Sequence, residues 1–156
     1  MLLETTGVVH LALLFGSTWV VNSLVFFAIL VSILASNLFV WIAKPRTLRP
    51  YYSLLLASLL VNTRVPMSGL LALPEAAKVM VSCTVIFVPI FFAGVIFATA
   101  FHDSHQPDGD FGSNIGGVIL GGLSEYFSLM VGFNYLLFLA IAFYLLSMLC
   151  KQDLRH

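Results

Sequence analysis

A single carboxylate, Glu125, stands in the run Gly116-Gly-Val-Ile-Leu-Gly-Gly-Leu-Ser-Glu-Tyr-Phe-Ser-Leu-Met130, whose other side chains are aliphatic, aromatic or hydroxyl. An acid in such surroundings takes a proton, pairs with a cation or donor, or lines a path for a proton or cation. Arg64 is the cation placed inside another apolar run, and an Arg64–Glu125 pair across helices would neutralise both. Asn22, Asn37 and Asn62 offer amide donors, while Tyr126 and Trp19 put polar handles on apolar rings. Two roles follow for Glu125: a buried contact that sets helix register, or a station on a transport path.

The stretch His102-Asp-Ser-His-Gln-Pro-Asp-Gly-Asp110 gathers imidazole and carboxylate groups. His102, Asp103 and His105 are its candidates for a metal, but the spacing matches no zinc or calcium pattern, so no metal site is assigned. His10, in an apolar stretch, is a candidate axial ligand for a haem or chlorin, without a helical partner to complete the site. No nucleophile elbow, Walker loop or dinucleotide fingerprint occurs, and catalysis by this chain is not expected.

The elements that must position these residues follow from composition. Of 156 residues, 60% are hydrophobic and 9% charged, whereas a soluble domain is about half apolar and about a quarter charged. Apolar runs of helix-spanning length broken by short polar punctuation imply an all-α, polytopic membrane helix bundle. The net charge is zero and the seven cations are scattered, which excludes a nucleic-acid surface. Cys83 and Cys150 indicate no disulfide framework. Neither repeats nor low-complexity linkers divide the chain, so residues 1–156 read as one domain.

About five transmembrane helices are predicted, at 18–43, 51–73, 75–101, 112–130 and 135–150, preceded by an interfacial or kinked lead-in at 7–16. The segment Lys44-Pro-Arg-Thr-Leu-Arg-Pro50 stops transfer, because prolines end the helix and three cations resist hydrocarbon. Asn62-Thr-Arg-Val-Pro66 interrupts the second span. With five crossings, the cations of 44–49 and 151–155 share one side, and Lys78 is the one cation in a connection on the other. The positive-inside rule then puts the C-terminus in the cytoplasm.

In the fourth span Ser113, Gly117, Gly121, Ser124 and Ser128 recur at three- and four-residue spacing, so they share a helix face with Glu125. Small residues let a second helix approach closely, which is how helices associate in lipid. This face is the predicted packing seam.

Five blocks carry a family resemblance: "LFGSTWVVNS" (14–23), "ILVSILASNLFV" (29–40), "YYSLLLASLLVN" (51–62), "PIFFAGVIFATAF" (89–101) and "GSNIGGVILGGLSEYFSLMVGFNYLLFLAIAFYLLS" (112–147). In order and spacing the chain resembles the C-terminal membrane region of large bacterial proteins that join a major-facilitator-like part to a spermidine-synthase-like domain. The resemblance implies the last five helices of a twelve-helix bundle in a bacterial inner membrane. The family's aminopropyltransferase-like domain has no counterpart here, so that activity is not implied. Two functions stay open. One is a non-catalytic subunit in contact with lipid and with other transmembrane subunits or itself, any pigment or haem arriving through the partner complex. The other is an oligomeric or partner-completed carrier for a proton or a small cation or amine that uses Glu125, since half a carrier cannot rock alone.

Overall fold

The computed structural model describes residues 2–45, 47–64, 74–102, 104, 106–132 and 134–153, and among them it holds six helices and no strand. In chain order these are α1 (Leu2–Phe15), α2 (Trp19–Ala43), α3 (Arg49–Arg64), α4 (Glu75–His102), α5 (Pro107–Val131) and α6 (Asn134–Asp153). The expected all-α class is observed. Among the described residues two stretches, Trp19–Ala43 and Ala77–His102, are long and apolar enough to cross a membrane, while Leu2–Phe15 and Tyr135–Leu149 are shorter apolar helices.

Local chemistry sets the ends. Thr18 caps α2 in extended conformation, its hydroxyl accepting from the Val21 N–H at 3.3 Å. At the other end Lys44 turns left-handed at φ 43° and returns its N–H to the Val40 carbonyl, just before Pro45. Gly16 closes α1 at φ +92°, and Gly132 turns the chain between α5 and α6 at φ +101°.

Two boundaries depart from expectation. The lead-in is a continuous helix from Leu2, and it is no surface appendage: Thr6, Gly7, Leu11 and Leu14 are buried in the bundle. The helix of the expected fourth span, α5, starts at Pro107 and not near 112, because proline at the first helical position and Asp108 and Asp110 in the first turn suit a helix start. The polar stretch after His102 is therefore partly helical. The expected second span, 51–73, corresponds to α3, which is described to Arg64; its expected end lies in residues 65–73, outside the described residues.

Packing centres on α4, which touches α1, α2 and α3. On one side Leu11, Val25, Ile29, Ile86 and Ile90 form a cluster. On the other, Tyr52, Leu55 and Leu59 of α3 meet Ile96 and Leu137, and the Tyr52 and Ser147 hydroxyls hydrogen-bond at 2.9 Å to tie α3 to α6. Glycine sets two close approaches. A Cβ on Gly7 would lie 2.7 Å from Ile86 Cγ2, and one on Gly94 would overlap the Ser36 side chain. Lys78, expected in a connection, is buried in the first turn of α4 with its ammonium 5.8 Å from the Phe15 ring centroid.

Candidate functional site

The contact described for Glu125 comes from α1: the Thr5 hydroxyl donates to Oε1 at 2.6 Å across 120 residues of chain. This is a charge-assisted bond of the short, strong kind when the carboxylate is ionised. Arg64, the expected partner, is exposed at the end of α3. Thr5 was invisible as a partner because its stretch has no pattern that distinguishes a bonding hydroxyl from one satisfied by its own helix. The neighbouring Thr6 shows the other outcome, donating to the Leu2 carbonyl at 2.8 Å.

Substitution separates the two possible duties of Glu125. Glu125→Gln keeps an oxygen to accept the Thr5 proton, so its thermal unfolding in detergent should stay near that of the parent. Glu125→Leu removes the acceptor and should cost about 1.5–3 kcal/mol, the worth of a hydrogen bond to a charged group. Equal losses in both variants would contradict the assigned contact.

Among the described residues the seam is open toward its N-terminal end. Ser113 is exposed, and no described atom comes within 4 Å of where a Cβ on Gly112, Gly116, Gly117 or Gly122 would be. Gly121, nearer Glu125, is buried. Ser124 donates to the Leu120 carbonyl of its own helix at 2.8 Å, so its hydroxyl is satisfied without a neighbour. The Ser128 side chain lies outside the described residues. Tyr126 is 74% exposed.

The three asparagines separate. Asn37 is on the exposed side of α2. Asn22 is half-buried, and its Oδ1, like the Ser82 hydroxyl, has no hydrogen-bond partner among the described residues. Asn62 has a specific task. Pro89 has no N–H to give the carbonyl four residues earlier, and Asn62 Nδ2 donates to that Val85 carbonyl at 3.5 Å. Sequence reasoning singled out Asn62 but had no means of pairing it with the break at Pro89.

His10 lines a cleft beside this break, with Thr6, Asn62, Pro89 and Leu137 among its walls. The cleft has about 10 Å³ for the centre of a water molecule, room for one water. A haem or chlorin at His10 would require the helices to part. His102 is exposed, whereas Asp103 and His105 lie outside the described residues. Among the described residues no group of three His, Cys, Asp or Glu side chains is placed to hold a metal ion.

No known protein family, curated protein or solved structure matches this chain.

Proposed function

We propose that the chain is a non-catalytic integral membrane subunit that docks the glycine and serine face of α5 against a helix of a larger membrane complex. One contrast carries this reading. Where helices of the chain meet closely, Gly7 and Gly94 have a neighbouring side chain within 3 Å of the Cβ position, but among the described residues nothing lies within 4 Å of that position on Gly112, Gly116 and Gly117. In lipid a small-residue face is useful only for another helix, since tails pack equally well against leucine.

The outer face of α2 supports the membrane setting. Trp19 and Trp41 are 80% and 72% exposed, with Leu24, Leu30, Leu34 and Leu38 exposed between them. The tryptophans stand about 33 Å apart along the helix, close to the hydrocarbon thickness of a bilayer, whose interfaces favour tryptophan. In the finer reading the chain makes five crossings of a bacterial inner membrane with a cytoplasmic C-terminus, and α1 packs inside the bundle.

The test is capture of the tagged chain in mild detergent. A partner should co-purify at fixed stoichiometry, and Gly117→Leu should abolish its recovery while unfolding stays within about 1 kcal/mol of the parent, since that site has open space. Purification alone in detergent and in nanodiscs, or capture unchanged by Gly117→Leu, would sink the proposal. An absorbing eluate would place a pigment or haem in the partner complex. Uptake of a proton or amine by the reconstituted chain alone, lost in Glu125→Gln, would establish the carrier alternative instead.

A further inference from the structure

Among the described residues Pro89 is the proline inside a helix, and it lies fully buried in α4. Removing its N–H leaves the Val85 carbonyl with no ladder bond, and a carbonyl deprived of a donor is costly where bulk water is absent. Asn62 answers at 3.5 Å, a long contact for an amide donor whose usual range ends near 3.2 Å. One weak bond does not saturate the site. The carbonyl retains a lone pair, and Asn62 retains a second N–H and its own oxygen.

The single-water cleft opens at this place. Its walls come from four helices: Leu3, Thr6, Gly7 and His10 of α1, Asn62 of α3, Ile86 and Pro89 of α4, and Leu137 of α6. The close approach of Gly7 to Ile86 shuts one flank. A neutral imidazole offers one donor and one acceptor, so His10 and Asn62 give an entering molecule groups of both kinds. A buried water needs two to four polar partners and room for one sphere, and the cleft supplies both.

We propose that this cleft is a binding site for one ordered water, hydrogen-bonded by His10 and by Asn62, the residue whose amide also donates to the carbonyl that Pro89 leaves open. The water holds the Asn62 amide in place against the broken turn of α4. A monovalent cation fits the walls less well, because several oxygens must replace its hydration shell and the side chains here supply only those of Thr6 and Asn62.

X-ray hydroxyl-radical footprinting of the full chain in nanodiscs reads this directly, since radicals form from water at the place where it is bound. Pro89 and Leu137 should be oxidised although buried, while Leu55 and Leu59, buried in the other cluster, stay at background. His10→Phe, which fills the cleft, should lose the Pro89 and Leu137 labels. Asn62→Leu should lose them too, and serves if His10→Phe does not fold. Wild-type labels no higher than those of Leu55 and Leu59 would overturn the site. So would labels that persist in a folded variant, or labels that change when sodium is exchanged for choline, which would assign the cleft to a cation.

Discussion

Gly94→Leu is expected to abolish the folded bundle, and Gly94→Ala to cost about 1–3 kcal/mol, the range for overpacking a tight contact. A Cβ at position 94 would lie 2.9 Å from Ser36 Cβ and closer still to the Ser36 hydroxyl. Carbon atoms are comfortable at about 3.5–4.0 Å. The hydroxyl can rotate away, but Ser36 Cβ is attached to the backbone of α2, so relief requires the helices to separate. Ser36 is fully buried and α2 packs on α4 through this contact, so separation disturbs the cluster of Val25, Ile29, Ile86 and Ile90 as well.

The partner substitution identifies the cause. Ser36→Gly alone should cost about 0.5 kcal/mol through helix propensity. Combined with Gly94→Ala it should recover stability, because the methyl group then occupies the space vacated by the serine side chain. A double-mutant cycle measured by reversible unfolding in detergent should give a favourable coupling of about 1 kcal/mol or more. Additive losses would mean that the Gly94 penalty arises elsewhere than against Ser36.

The parts of the fold that could be read from the sequence are those written in short-range chemistry. Thr18, then 25 residues without a charge, then Lys44 and Pro45, mark both ends of α2 by capping and by the exclusion of charge from an apolar run. The beginnings of α4 and α6 follow from the same cues. The start of α5 is missed because hydropathy discounts Pro107, Asp108, Gly109 and Asp110, although proline and acids are what a helix N-terminus favours. Hydropathy and helix geometry give different answers there, and geometry decides the boundary.

Long-range pairings lie beyond such reading. The described partner of Glu125 is 120 residues away on α1, and nothing around Thr5 distinguishes it from Thr6. The seam itself is legible as spacing, since Ser113, Gly117, Gly121 and Ser124 are at helical intervals. Which part of it stays open is decided by where α5 sits against α6 and α1, a tertiary outcome with no local signature. The same holds for α1, whose burial depends on Gly7 meeting Ile86, 79 positions later in the sequence.

Leu30→Arg should have opposite consequences in the two environments open to a helix with the composition of α2. Leu30 is 65% exposed and lies eleven positions from both Trp19 and Trp41. Eleven residues make three turns plus about 20°, so the three side chains share a face. If that face meets lipid, Leu30 is about 16 Å from either tryptophan, near the bilayer centre. Exchanging leucine for arginine there costs about 3–4 kcal/mol on insertion scales, enough for a fall of more than about 100-fold in the inserted to non-inserted ratio. In water the same exchange at an exposed site would change stability by less than about 0.5 kcal/mol and raise solubility. Trp41→Arg is the internal control, because a long cation at interface depth reaches the headgroups and should be tolerated. The measurement is the carbonate-resistant membrane fraction of each variant. A large loss for Leu30→Arg with little for Trp41→Arg is the depth dependence that only a bilayer imposes. Equal, small effects at both positions would mean that this face of α2 meets water or protein, and the docking role proposed for α5 would then have no membrane in which to operate.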